Sequence, residues 1–381
     1  MTTEILEFAA TRLVLTRPSG DGQALRAWDA ADELLLEEAL TRLSSGDRVL
    51  IVDDQFGALT LGLAQYAPVS VADSATLGRA IEINGASNPD RATPLPACSW
   101  LNPPSGLFDL VVMRIPRQAD YLAWLLRWIN GALSESGCLL AGGMIKHLPD
   151  RSVDVFSAAV RTEAVLPARK KARVVVCRRG SGQLSGWPDT WKGYEVPPLT
   201  VPVEAMPAVF ARDRLDIGTR ELLPLVAPAI SALPEGARVL DLACGNGVLG
   251  LVALETRVDI TVDFSDVSSQ AVVSVKHNLE RSGHLARAQL HHSDGIARES
   301  GEYQLVLLNP PFHEGGVVGD HIAQRLFRDA ARHLAPGGRL LMVGNRHLGY
   351  HRTLKRYFGH LEQRAASPRF VVFEASRPGE G

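Results

Sequence analysis

Ala237-Arg238-Val239-Leu240-Asp241-Leu242-Ala243-Cys244-Gly245-Asn246-Gly247-Val248-Leu249-Gly250 reads as an apolar strand, a glycine turn and the start of a helix. That succession makes the region an α/β sheet whose site lies beyond the carboxyl ends of its strands. Gly245, Gly247 and Gly250 match G-x-G-x-x-G, which by itself suits a dinucleotide as well as any other adenosine cofactor. Two acids narrow the choice. Asp241 stands just before the turn, and Asp266 closes the next strand, Asp259-Ile260-Thr261-Val262-Asp263-Phe264-Ser265, where an acid takes both ribose hydroxyls. Asp263 competes for that role; Asp266 is preferred because Val267-Ser268-Ser269-Gln270-Ala271-Val272 then begins a helix. Cys244, Gly245, Asn246 and Gly247 are the expected loop contacts. Asp294, in His291-His292-Ser293-Asp294-Gly295, ends a third strand and suits the adenine amino group, although a solvated loop acid fits equally well.

Downstream, Tyr303-Gln304-Leu305-Val306-Leu307-Leu308 reads as a buried parallel strand that ends in Asn309-Pro310-Pro311-Phe312-His313. Asn and Pro are common turn residues, so the stretch alone is also an ordinary turn. In this context its chemistry suits methylation of a planar amine from S-adenosylmethionine. Such an amine has its lone pair delocalised and needs its N–H groups held by acceptors. Asn309 Oδ1 and the Pro310 carbonyl can accept, and the prolines stiffen the turn without offering donors. Phe312 offers a flat face for a flipped-out base, a stack worth about 1–3 kcal/mol. Placement supplies most of the rate, and the reaction requires no metal.

The chain repeats itself. Arg48-Val49-Leu50-Ile51-Val52-Asp53, the turn Asp54-Gln55-Phe56-Gly57 and the helix start Ala58-Leu59-Thr60-Leu61 echo the glycine-loop region. Phe108-Asp109-Leu110-Val111-Val112-Met113-Arg114-Ile115-Pro116 echoes Tyr303 to Pro311. The first copy keeps only Gly57 of the turn and has Arg114 in the place of Asn309. An Arg carries donors only, so this copy cannot grip an amine. It is expected to be silent and either to hold RNA or to support the fold. The expected division is a first domain over 1–182, a linker over 183–200 rich in Gly, Pro and Trp, and a catalytic domain over 201–381.

At 381 residues, 46% hydrophobic and 22% charged, the chain has the composition of a globular protein of two or three domains. It has no apolar run of roughly 18 residues and no basic-then-apolar start, so a cytoplasmic protein with no membrane contact is expected. Four cysteines lie scattered without metal or redox spacing. A net charge of −2 means that any grip on nucleic acid must come from a local basic face.

On these motifs the chain resembles the bacterial ribosomal RNA guanine-N2 methyltransferases, a tandem-domain family with a degenerate N-terminal copy. The resemblance spans nearly the whole sequence. It includes Leu25-Arg26-Ala27-Trp28-Asp29-Ala30-Ala31-Asp32, Phe210-Ala211-Arg212-Asp213-Arg214-Leu215-Asp216-Ile217-Gly218-Thr219-Arg220 and Val343-Gly344-Asn345-Arg346-His347-Leu348-Gly349-Tyr350-His351. The N-terminal stretches and the last one look more like the branch acting on 23S rRNA than the 16S branch. The resemblance implies two tandem Rossmann-like class I methyltransferase domains, S-adenosylmethionine as cofactor and one guanine N2 of 23S rRNA as target. A 16S target, DNA adenine and protein glutamine are the alternatives; a non-catalytic RNA-binding protein is a further one. Ala243 departs from the family, which more often has Gly there.

Asp216 and Gly218 are expected near the methionine end of the cofactor, with a plain helix cap as the other reading. His313 either orients the base or is a loop residue. Arg169, Lys170 and Lys171, beside a strand Val174-Val175-Val176-Cys177 expected at the sheet edge, suit RNA phosphate or an anti-aggregation guard. Arg346, His347 and Lys355 form a second basic cluster, in which Leu354 and Phe358 face the core while Arg352, Lys355 and Arg356 face water. The expected partner is protein-free or partly assembled 23S rRNA, not DNA, with the protein acting as a monomer.

Overall fold

The structure, a computed structural model, describes residues 4–18, 26–149, 151–297, 299–311, 313–314, 317–318 and 320–377, with backbone only at 313–314, 317–318 and 320. The chain divides into two compact units, 1–190 and 191–381. The stretch 183–200 belongs partly to each, and its residues 192–194 form a strand of the second unit.

The first unit opens with the hairpin β1 (Glu4–Phe8) and β2 (Thr11–Leu15). Helix α1 (Ala30–Arg42) leads to β3 (Val49–Val52), α2 (Ala58–Gly62), β4 (Val69–Val71) and α3 (Thr76–Ala86). Then follow β5 (Phe108–Arg114), α4 (Ala119–Ala132), β6 (Leu133–Met144), α5 (Ser152–Ser157), β7 (Arg161–Val165) and β8 (Ala172–Arg178). The sheet order is β4-β3-β5-β6-β8-β7, with β8 and β7 antiparallel. The strand that would continue the sheet past β4 is reduced to one parallel bridge, Val71 with Cys98.

The second unit pairs β9 (Lys192–Tyr194) with β10 (Val203–Ala205) before α6 (Ile217–Ser231). It continues through β11 (Arg238–Leu242), α7 (Val248–Thr256), β12 (Thr261–Asp266), α8 (Ser269–Ser282), β13 (Ala288–His292) and β14 (Tyr303–Leu308). The short pair β15 (His313–Glu314) and β16 (Val317–Val318) precedes α9 (Asp320–His333), β17 (Leu334–Asn345), α10 (Tyr350–Tyr357), β18 (His360–Ala366) and β19 (Phe370–Ser376). The sheet runs β13-β12-β11-β14-β17-β19-β18, parallel through β17. Period-two burial makes both faces apolar. Val239, Val262, Leu305 and Leu307 pack under α6, α7 and α8, while Leu240, Val306 and Leu308 pack under α9 and α10.

The duplication is visible in the register. β5 meets β6 with an irregularity after Phe108, and β14 meets β17 with the same irregularity after Tyr303. The expected edge strand is corrected: β8 lies between β6 and β7, and the edge is β7, four of whose five residues are exposed.

Arg114 lies at the end of β5, where β14 is followed by Asn309. Its guanidinium forks onto both carboxylate oxygens of Asp29 at 2.7 Å and reaches Asp32 at 3.0 Å. Asp29 caps α1, and Asp32 completes the capping box. Removing one partner of a buried ion pair strands the other charge. Arg114→Ala is therefore expected to destabilise the protein by about 3 kcal/mol, near the low end for a buried pair because Asp29 is partly exposed. Urea unfolding followed by tryptophan fluorescence reads mainly this unit, which holds five of the six tryptophans; an unchanged midpoint counts against the account.

Candidate active site

Leaving β11, the chain takes left-handed backbone at Ala243 (φ 55°), Gly245 (55°) and Gly247 (81°). An L-residue there costs about 1–2 kcal/mol, which is why glycine suits position 243 as well. A Cβ at Gly247 would stand 2.9 Å from Val275 of α8, and one at Gly250 2.2 Å from Phe264 of β12, so Gly247 lets the start of α7 approach α8 and Gly250 lets α7 close on the sheet. At Gly245 a Cβ meets nothing within 4 Å; the loop is open on that side.

Asp266, at the end of β12, accepts from Gly245 N at 2.8 Å and from Ser268 N at 2.9 Å. Its carboxylate thus stands against the open loop. Asp263 is turned elsewhere: it accepts from Tyr303 Oη at 2.8 Å and Arg238 at 2.9 Å and lies 3.3 Å from His291 Nε2, in a network across four strands. Asp241 is buried, and its Oδ2 accepts from Gly250 N at 2.9 Å, tying α7 to β11. Burial pushes its carboxyl up to about 8. Asn246 is a brace, with Nδ2 donating to Tyr194 Oη at 2.9 Å. The Cys244 thiol is buried and pushed well above its ordinary pKa by desolvation and by Asp266 and Asp241, so it stays neutral. Asp294 is exposed, with both carboxylate oxygens on the Arg325 guanidinium of α9.

Asn309 follows β14 directly. Its Nδ2 donates to Asp216 Oδ2 at 3.0 Å and to Thr219 Oγ1 at 2.9 Å. Asp216 is the N-cap of α6 and accepts from Thr219 N at 2.9 Å, so the helix-cap reading is correct for it. Sequence reasoning missed Thr219, and only its place one turn into a capped helix could have suggested it. Asn309 Oδ1 is buried and has no hydrogen-bond partner among the described residues. Gly218 is packed so closely that a Cβ would sit 3.0 Å from Asp216 Oδ2 and 3.1 Å from Phe370. Pro310 is buried and Pro311 exposed. Phe312 and the His313 side chain lie outside the described residues.

The basic clusters differ. Arg169 pairs with Glu37 and Lys170 with Glu33, each at 2.7 Å, while Lys171 is exposed in the turn before β8. On α10, Leu354 is buried and Phe358 follows it into the core, leaving His351, Arg352, Lys355 and Arg356 exposed. None of these four, nor His347, makes an ion pair among the described residues. Arg346 donates to Ser367 O at 3.0 Å. No metal-binding cluster and no helix long and apolar enough to cross a membrane occur among the described residues.

An open glycine loop, an acid at the end of the second strand and an unpartnered amide oxygen beyond the fourth fit S-adenosylmethionine and define a methyltransferase dependent on it. Two family descriptions divide the chain: the RLMG N-terminal domain matches 3–181, and the methyltransferase small domain matches 200–374. A protein of Alcanivorax borkumensis called ribosomal RNA large subunit methyltransferase G is 37% identical over 372 residues, covering 95% of this chain and 94% of its own. One of that name from Pseudomonas syringae pv. tomato is 38% identical, covering 98% and 99%. The T. thermophilus 16S rRNA N2 G1207 methyltransferase, solved with AdoMet and guanosine, shares the fold at a TM-score of 0.77 and 23% identity over 99% of this chain and 98% of its own. The chain belongs to the ribosomal RNA large subunit methyltransferase G family.

Two outcomes follow from the acids. Asp266→Ala is expected to weaken S-adenosylmethionine binding at least about tenfold, the loss of a charge-assisted hydrogen bond, whereas Asp263→Asn is expected to lower stability and leave that dissociation constant unchanged. Calorimetric titration of both variants decides, and the reverse pattern moves the ribose role to Asp263. Asp241, with a folded pKa near 8 against 3.8 unfolded, keeps a proton in the folded state that the unfolded chain has lost. That contribution is complete below about pH 4 and fades as pH rises through 8. Asp241→Asn lacks it, so its stability relative to wild type is expected to rise between pH 5 and pH 8 in urea unfolding; a parallel pH dependence means that Asp241 is ionised.

Proposed function

We propose that the protein transfers a methyl group from S-adenosylmethionine to the exocyclic N2 of one guanine in 23S rRNA. The observation that carries this reading is the buried Oδ1 of Asn309, which has no hydrogen-bond partner among the described residues. A buried acceptor without a donor costs about 1–3 kcal/mol, and a substrate N–H removes that cost. The relatives named for the large subunit support 23S rRNA, and the T. thermophilus enzyme named for N2 of a guanine supports the atom.

In this mechanism Asp266 and the backbone at Gly245 hold the ribose side of the cofactor, and the open loop admits it. The cofactor supplies a methyl group made electrophilic by its sulfonium. Asn309 Oδ1 and the Pro310 carbonyl accept from the two N2 hydrogens, which fixes the amine plane and returns electron density to nitrogen. Transfer would break the bond from sulfur to methyl as the N–C bond forms, leaving the cofactor as a neutral thioether, and the cationic nitrogen is then acidic enough to pass one proton to water, so that Asn309 need only accept a hydrogen bond and not act as a base. Asp294 reaches the adenine only if Arg325 releases it.

β17, the parallel neighbour of β14, ends at Asn345, so Arg346, His347 and the start of α10 with His351 and Arg352 lie at the same edge of the sheet as Asn309, while α10 carries Lys355 and Arg356 back toward His360, level with the start of β17. We assign RNA phosphate contact to this unpaired basic surface, and not to Arg169 and Lys170, whose charges are held by α1. The protein acts on bare or partly assembled 23S rRNA, in the cytoplasm and as a monomer.

The test is methyl transfer to protein-free 23S and 16S rRNA from cells lacking the gene, read by nucleoside mass spectrometry. N2-methylguanosine confined to 23S rRNA is expected. Incorporation into 16S alone moves the target to the small subunit, and none in either RNA moves it to assembled particles, DNA or protein. Asn309→Ala is expected to lower kcat by about 10²–10³, the scale of losing one preorganised polar contact at the reacting group, with cofactor affinity unchanged. A kcat within twofold of wild type removes Asn309 from the reaction.

A further inference from the structure

The open acceptor at Asn309 exists only because the amide is held one way round. A primary amide has a donor end and an acceptor end of nearly the same shape, and a half-turn about its last bond exchanges them. Facing the substrate with Nδ2 would set N–H groups against N–H groups and repel the amine. Something must select the orientation.

The neighbours of Nδ2 make that selection. Asp216 Oδ2 accepts at 3.0 Å and Thr219 Oγ1 at 2.9 Å, so both hydrogens of the amide are taken from the side of α6. A carboxylate only accepts. A flipped amide would put its oxygen against that carboxylate and forfeit both bonds. Thr219 is itself fixed, since its backbone N–H donates to the Asp216 carboxylate in the helix cap. Thus the cap of α6 sets the end of β14.

The first unit gives an independent reading of the same three positions. There Asp29 caps α1, Asp32 stands three residues later as Thr219 does after Asp216, and Arg114 ends β5 at the position that corresponds to Asn309 just after β14. In that copy the two helix residues also hold the strand-end side chain, but the group they hold has no acceptor end. The contact between helix cap and strand end is therefore common to both copies, and what differs is whether it leaves an oxygen outward.

We infer that Asp216 and Thr219 are positioning residues that lock the Asn309 amide with its oxygen toward the substrate, and that this lock selects a group with hydrogens to donate, such as an amine, over a carbonyl at the methylated position. The inference rests on the reading of Asn309 as the amine-gripping group. Neither residue needs to touch substrate or cofactor for it. The lock acts on the reacting group alone, so its loss appears in kcat and not in RNA affinity.

Thr219→Val removes one acceptor while keeping the shape of the side chain, and Thr219→Ser restores the hydroxyl. With 23S rRNA as substrate, Thr219→Val is expected to lower kcat about five- to tenfold, the effect of losing one hydrogen bond. KM for RNA and the dissociation constant of S-adenosylmethionine should stay within twofold, and Thr219→Ser should recover most of the rate. A wild-type kcat for Thr219→Val beside an inactive Asn309→Ala overturns the lock and leaves the proposed function standing. An active Asn309→Ala overturns both. If Thr219→Val does not fold, Asp216→Asn is measured instead, because Asn caps a helix as well as Asp does. A changed cofactor affinity with unchanged kcat in that variant assigns Asp216 to cofactor binding and overturns the lock.

Discussion

The bond between the first turn of a helix and the residue at the carboxyl end of one central parallel strand, β5 or β14, organises each half of this chain. In the second unit it joins Asp216 and Thr219 to Asn309, and in the first it joins Asp29 and Asp32 to Arg114. The helix end supplies acceptors through its cap, and the strand end supplies donors. In the first unit the buried Arg114 cation lies against two carboxylates and, having no acceptor of its own, leaves none over. In the second the donors are satisfied and an oxygen is left over. A buried ion pair breaks even at best against an apolar filling, so the first arrangement is better understood as a closed site than as added stability. The second keeps an unsatisfied group where a ligand can satisfy it.

The turns after the first strands diverged in the same sense. In the second unit the N-terminus of α7 is held from the strand, by Asp241 onto Gly250 N, and from the turn by the buried Asn246, whose Oδ1 accepts from Val248 N at 3.3 Å, the other turn residues being Ala243, Cys244 and glycines. In the first unit the capping acid has moved into the turn: Asp54 accepts from Gly57 N and from both the backbone and hydroxyl of Thr60. Beside it a buried chain runs from Trp100 Nε1 to Tyr121 Oη at 2.8 Å and on to Asp53 at 3.2 Å. One copy places the acid that holds the helix end behind the loop, and the other places it in the loop itself. Both helix ends are satisfied, as a buried terminus demands.

Local signals were legible in sequence because they are fixed by neighbours along the chain. The strand, turn and helix of 237–250 follow from apolar runs and glycines, the start of α8 from Ser268 and Ser269, and the buried Leu354 and Phe358 from helical spacing. The contacts that define the site were not legible. Asp216 and Asn309 lie far apart in the chain, and each alone reads as a cap and a turn residue. The same holds for Lys170 with Glu33 and for Asp294 with Arg325, pairs made by folding that no local pattern announces. The place of β8 in its sheet failed for a related reason: a strand with basic flanks looks like an edge until Arg161–Val165 pairs along its outer side. The third strand of the first sheet escaped notice because only one bridge of it survives.

The overall charge conceals the surface on which the proposed function depends. A net charge of −2 gives no long-range attraction for RNA, and several arginines are paired with acids: Arg114 with Asp29, Arg238 with Asp263, Arg325 with Asp294, Arg169 with Glu37. Those pairs cancel locally and contribute little field. One cluster of exposed basic residues without an ion pair among the described residues begins where β17 ends, on the edge where β14 presents Asn309. Screening confines such charges to a range of about 8–10 Å in physiological salt, so they act on phosphates already near the site. In the proposed function these charges hold RNA beside Asn309, and specificity depends on whether the base that reaches Asn309 carries an amine, which is a question of one hydrogen-bond pattern and not of total charge.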